Sequence, residues 1–165
     1  MNSKSEKRPF KVLFVCLGNI CRSPTAHGMF EHLIEERGLG DRIAVDSAGT
    51  YGGHSGNLPD HRMRAHAARR GLKLTHRSRQ VRVDDFEEFD LILGMDDKNI
   101  QNLRDLAPTP EAMDKIERMT DYGNDLGYDY VPDPYYSGAE GFELVLDLLE
   151  NACSGLLDDI EKNKL

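Results

Sequence analysis

The chain has 165 residues, of which 39% are hydrophobic and 30% charged, with a formal net charge of −8. That length fits one domain around one core, and the balance excludes a fibrous or disordered protein. The acidic excess argues against a nucleic-acid face, no apolar run reaches bilayer-spanning length, and three cysteines are too few and odd in number for a disulfide framework.

The first eight residues are polar and charged and lack the apolar core of a secretory signal. A loose tail over residues 1–9 of a cytoplasmic protein is expected. The run Val12-Leu13-Phe14-Val15-Cys16 reads as a buried parallel strand. A helix follows, with Ala26, Met29, Phe30, Leu33 and Ile34 on one stripe and Gly38 as its stop. Ile43-Ala44-Val45 predicts a second strand ending at Asp46-Ser47, and the Gly-rich stretch from Gly49 to Asn57 a surface loop. Pro59 and Asp60 open a helix to about Arg70, stopped by Gly71. The cluster Arg62, Arg64, Arg69, Arg70, Lys73, Arg77, Arg79 and Arg82 reads as a solvated helix face and loop.

Leu91 to Met95 predicts a third strand. Asp96 or Asp97 caps the next helix, whose core face holds Ile100, Leu103 and Leu106. Lys115 to Met119 predicts a fourth, edge strand, followed by a long loop to about Gly138 and a final helix with Cys153 on its apolar stripe. Strand–helix alternation implies a single α/β domain over residues 10–165: a four-stranded parallel sheet flanked by helices on both faces. Ligands of such sheets bind beyond the C-terminal strand ends, where Cys16, Ser47 and Asp96 fall.

The segment Cys16-Leu17-Gly18-Asn19-Ile20-Cys21-Arg22-Ser23-Pro24 joins the first strand to its helix. A phosphate dianion needs many converging donors, and a tight loop entering a helix N-terminus supplies backbone N–H groups and the positive dipole end. Gly18 and Asn19 tolerate the left-handed backbone that curls amides inward, and Pro24 suits a first helical turn. Arg22 offers a planar fork of donors, and Ser23 is placed to cap the helix and to hydrogen-bond the Cys16 sulfur. The electropositive cup favours thiolate, so one loop both holds an anion and activates a nucleophile.

This loop resembles the signature of the low-molecular-weight protein tyrosine phosphatase family. Asp46-Ser47-Ala48-Gly49-Thr50, His76-Arg77-Ser78-Arg79-Gln80, Met95-Asp96 and Asp133-Pro134-Tyr135-Tyr136 match in order, so the resemblance covers nearly the whole chain. It implies hydrolysis of phosphotyrosine in proteins through a phosphocysteine, with no cofactor or metal, and a tyrosine-phosphorylated protein as substrate. Cys16 would be the nucleophile and Arg22 would bind phosphate, with Leu17, Gly18, Asn19, Ile20, Cys21 and Ser23 completing the cradle. Asp133 lies between two prolines that hold its carboxyl in place, and the resemblance makes it the general acid and base. Tyr135 and Tyr136 supply flat apolar walls suited to an aromatic group.

By the same resemblance Asn19, Ser47 and His76 support the loop, although alone His76 reads as a surface histidine. Asp96 either braces the site or only caps its helix. Cys21 either pairs reversibly with Cys16 or packs as a small buried residue. Relatives often carry a large aromatic two or three residues beyond the position of Tyr51, where this chain has Gly53 and His54. Tyr51 is then the candidate wall and His54 a candidate substrate contact. A protein arginine phosphatase on the same scaffold typically has Thr at the place of Ile20 and lacks the paired tyrosines. An arsenate reductase needs extra thiols, for which Cys153 is poorly placed, and a silent phospho-binding module would lack Asp133. A monomer is the expected state, with no membrane insertion.

Overall fold

A computed structural model describes residues 8–165, so most of the tail expected at residues 1–9 lies outside the described residues. Strands β1 (Phe10–Cys16), β2 (Ile43–Gly49), β3 (Leu91–Gly94) and β4 (Ile116–Arg118) form one parallel sheet in the order β2-β1-β3-β4. The helices are α1 (Arg22–Glu36), α2 (His61–Ala68), α3 (Asp85–Glu88), α4 (Asp97–Leu106), α5 (Pro110–Met113) and α6 (Ala139–Asn163).

Alternation along β1 divides the core. Val12, Phe14 and Cys16 face one cluster with Met29, Phe30, Met63, Phe142 and Leu149, from α1, α2 and α6. Leu13 and Val15 face the other, with Phe86, Ile100, Leu103 and Ala112, from α3, α4 and α5. Each large side chain so buried contributes roughly 1.5–3 kcal/mol. The helices on both faces bear out the expected α/β architecture.

Two boundaries differ from the sequence reading, and three short elements are additional to it. β2 runs on through Asp46 and Ser47 to Gly49 because both polar side chains find partners: Asp46 accepts from Arg79 and Ser47 bonds Asn19 and His27. α2 spans His61–Ala68, with Asp60 as its cap accepting from Arg62 N at 2.8 Å. α3, α5 and a 3-10 turn at Met119–Tyr122 hold four residues each, too few for a period to show.

From β1 the chain crosses to β2 on one side, while β3 lies on the other. The crevice between the carboxyl ends of β1 and β3 is therefore the switch point at which such sheets take ligands. Cys16 ends β1 and Asp96 follows β3 by two residues.

Candidate active site

The loop after β1 is held from outside by its carbonyls. Cys16 O accepts from Thr50 N at 3.0 Å, Leu17 O from Tyr51 N at 2.8 Å and Ile20 O from Asp60 N at 2.7 Å. The Ser78 hydroxyl reaches Gly18 O at 3.1 Å and Asn19 O at 3.2 Å, and Thr25 Oγ1 donates to Cys21 O at 2.6 Å. Every carbonyl from Cys16 to Cys21 thus points outward, which turns the following amides toward the crevice. Asn19 takes φ 56°, the left-handed backbone this curl requires. Gly49 permits the close approach, because a Cβ there would stand 2.6 Å from Leu17 O.

Ser23 is not the helix cap the sequence suggested. The cap is Cys21, with no side-chain hydrogen bond, and Ser23 lies one residue inside α1. Its hydroxyl sits 3.1 Å from Cys16 Sγ and accepts from Asn19 Nδ2 at 2.7 Å, while Ser23 N lies 3.5 Å from the sulfur. The first-turn donors thereby remain directed at the crevice and the Cys16 sulfur.

Arg22 is 2% exposed. Its guanidinium donates to Asp96 Oδ2 at 2.6 Å and to Val131 O at 3.0 Å, and lies 3.7 Å from Asp133 Oδ2. Burial pulls its pKa down, but the Cys16 sulfur and the Asp96 and Asp133 carboxylates outweigh that and raise it. Asp96 accepts from Arg22 and also caps α4, accepting from Asn99 N at 2.8 Å. Asp133 is exposed, its Oδ1 accepting from Tyr135 N at 3.1 Å. Its loop is anchored by Val131, fully buried, whose N donates to Met95 O at 2.7 Å.

These residues line a cleft of about 260 Å³ formed by Cys16, Leu17, Gly18, Ile20, Cys21, Arg22, Tyr51, His54, Asp133, Tyr135 and Tyr136. The Tyr51 phenol occupies the space that a side chain at Gly53 would need, and its ring meets His54 edge-on at 5.9 Å. Tyr135 and Tyr136 pack edge-on at 5.0 Å, Tyr136 being 96% exposed. Cys21 is buried, and desolvation first, then Asp60, raises its pKa.

Asn19 gathers the support network. Its Oδ1 accepts from Arg79 N at 3.1 Å, and its Nδ2 donates to Ser23 Oγ and, at 3.0 Å, to Ser47 Oγ. Ser47 is bonded on its far side by His27 Nδ1 at 3.0 Å, whereas His76 stands behind His27 with ring centroids 4.7 Å apart. Burial, then the charge of His27, lowers the His76 pKa. His27, Asp46 and His76 offer ligand atoms within 4.8 Å of one another, but several of these atoms already have protein partners. Asp46 is engaged by Ser47 N and by Arg79, and His27 Nδ1 by Ser47.

Thr50, Asp60, Ser78, Arg79, Gly49 and His27 build the site yet carry no mark of their own in the sequence. The match of the segments around Ser47 and Ser78 hinted at Gly49, Thr50, Ser78 and Arg79, whereas nothing marked His27 or tied the helix-opening Asp60 to the site. Within the basic cluster Arg69, Lys73, Arg77 and Arg82 are exposed, as expected of a solvated face and loop, whereas Arg62 bonds Asp60 and Tyr135 O, Arg70 meets Glu143, Asp147 and Glu150, and Arg79 meets Asp46 and Asp85.

The family model described as low molecular weight phosphotyrosine protein phosphatase matches residues 11–165. The chain belongs to that family. A low molecular weight protein-tyrosine-phosphatase of Bacillus subtilis is 43% identical over 93% of this chain and 97% of its own length. A protein tyrosine phosphatase crystal structure from Entamoeba histolytica superposes with a TM-score of 0.91 at 42% identity, covering 94% of this chain and 99% of that one. The Drosophila arginine phosphatase is also similar, with a TM-score of 0.85 at 34% identity over 93% of this chain and 99% of that one. This phosphatase scaffold therefore accounts for the match from β1 to α6. Among the described residues, no helix is long and apolar enough to cross a membrane.

Proposed function

We propose that this phosphatase hydrolyses phosphotyrosine in proteins through a phosphocysteine, as one domain over residues 10–165. The outward capture of every carbonyl from Cys16 to Cys21 carries this reading, because it leaves amides, Arg22 and the Cys16 sulfur converging on one point. Sγ attacks phosphorus in line while the loop amides and Arg22 hold the equatorial oxygens. Asp133 protonates the departing phenolic oxygen and then removes a proton from the water that cleaves the phosphorus–sulfur bond. Asp96 orients Arg22, and Ser23 donates to the sulfur when it departs as thiolate. Leu17, Ile20, Tyr51, His54, Tyr135 and Tyr136 receive the aromatic ring.

Three free, buried cysteines support a reducing compartment, and the reading takes the enzyme as a cytoplasmic monomer. The similarity to an arginine phosphatase supports a second reading on the same residues. The aromatic walls and Ile20 favour the aryl substrate.

The test is turnover of an aryl phosphate with chelator present. Cys16→Ser should abolish it, and Asp133→Asn should lower kcat by about 10²–10⁴-fold. Unimpaired turnover in the first variant, or dependence on metal, would sink the mechanism. Faster release of phosphate from phosphoarginine than from phosphotyrosine peptides would favour the second reading.

A further inference from the structure

Asn19, Ser23 and Ser47 support the nucleophile loop, and the histidine behind them has so far no task. His27 is 7% exposed, on the second turn of α1, with Nδ1 3.0 Å from Ser47 Oγ. Proton accounting fixes what it does there. Asn19 Oδ1 receives the Arg79 amide, so its Nδ2 faces the two serines and supplies one hydrogen to each. Ser23 Oγ, having accepted, has its hydrogen for Cys16 Sγ at 3.1 Å, with Ala48 O at 3.4 Å as the other acceptor in reach. Ser47 Oγ, having accepted, has His27 Nδ1 as its remaining partner among the described residues. The Ser47 hydroxyl hydrogen therefore goes to Nδ1, and the neutral ring carries its proton on Nε2, which stands 3.5 Å from Glu31 Oε1.

We propose that His27 is a positioning residue for the hydrolytic reaction: neutral and protonated on Nε2, it accepts the Ser47 hydroxyl and so holds Asn19 and the nucleophile loop in place, and a second proton on Nδ1 breaks that hold. An imidazolium N–H at Nδ1 would meet an oxygen that already accepts from Asn19. The Ser47 hydrogen would then lose its acceptor in a buried site. The hold matters because Asn19 keeps a left-handed backbone that few side chains adopt.

The groups facing the ring are mixed. Glu31 from α1 and Asp46 from β2 favour a charged ring, Asp46 being itself paired with Arg79, while His76 from the segment after α2 opposes it. From α6, the Cys153 thiol lies against Ala26 O, and burial raises its pKa so that it stays neutral. His76 is the spacer: its Nε2 is buried without a partner among the described residues, which suits an uncharged ring packed at a 50° tilt against His27.

The proposal rests on the phosphatase reading, and its test separates the two. Histidine-selective ¹⁵N NMR of the parent at pH 7.5, with His27→Phe to assign the signal, should show a neutral His27 bearing its proton on Nε2. A ring protonated on Nδ1 overturns the proposal, whether or not the protein turns over aryl phosphates. In the pH profile of kcat/KM, His27→Phe should fall about tenfold, the effect of one lost buried hydrogen bond. His27→Asn places an amide oxygen where Nδ1 stood and should recover most of that loss. It should also lack one ionisation on the acid limb. An Asn variant whose acid limb superimposes on the parent's, or a Phe variant of parental activity and melting temperature, overturns the role. A parent without activity would instead sink the phosphatase reading.

Discussion

Asn19 concentrates more of the site than any residue visibly involved in chemistry. Its backbone turns the loop, its amide nitrogen bridges two serines, and its oxygen takes the Arg79 amide. Asn19→Ala would strand buried hydroxyls and leave the left-handed backbone unsupported, at about 1–3 kcal/mol of stability. Urea denaturation, read beside kcat, checks this; a loss of activity without any loss of stability would mean the bridge serves only chemistry. Gly49 makes a sharper case. Gly49→Ala drives a methyl against Leu17 O at 2.6 Å, so it should displace the loop and cut kcat/KM by at least tenfold. Equal rates for the variant and the parent would show that β2 can retreat. Neither role was visible in composition or period. Cys16, Arg22 and Asp133 were legible because nucleophile, anion clamp and acid need particular residue types. Thr50 and Ser78 act through a backbone N–H and a hydroxyl that many residues supply, so nothing in their identity marks them.

At the scale of elements, two arginines show how burial decides what an ion pair contributes. Arg70 joins α2 to α6 through Glu143, Asp147 and Glu150, acids whose side chains are 40–67% exposed. Solvent screens those pairs, and Arg70→Ala should cost less than about 1 kcal/mol and lose even that in high salt. Arg79 instead holds Asp85, which has no exposed surface, and ties α3 to β2 through Asp46. Arg79→Ala leaves that carboxylate buried with only the Arg82 amide, and the expected cost is about 3–5 kcal/mol. Comparable denaturation midpoints for the two variants would refute the distinction. The long elements were readable from their apolar stripes, β1 and α6 above all. β2 was read short because Asp46 and Ser47 look like a strand end, when they are polar residues with partners waiting inside the fold.

For the whole molecule, acid sensitivity follows from His76. Its pKa is lowered in the fold, by burial first and by His27 next. The unfolded chain, titrating near ~6.5, therefore takes up the proton before the folded one does. Stability should fall as pH drops through that value and continue to fall until the folded imidazole titrates. His76→Phe should flatten the melting temperature between about pH 7 and pH 5 relative to the parent. Parallel curves for the two proteins would assign the slope to other groups.

The first turn of α1 begins without a side-chain cap. Whatever anion enters the cleft completes that turn, so substrate recognition and helix termination draw on the same N–H groups. Folding and inhibition are thereby linked by mass action: an oxyanion at a hundred times its dissociation constant should stabilise the fold by about 2.7 kcal/mol. A melting curve taken in rising phosphate then measures product affinity directly, without a substrate and without a turnover.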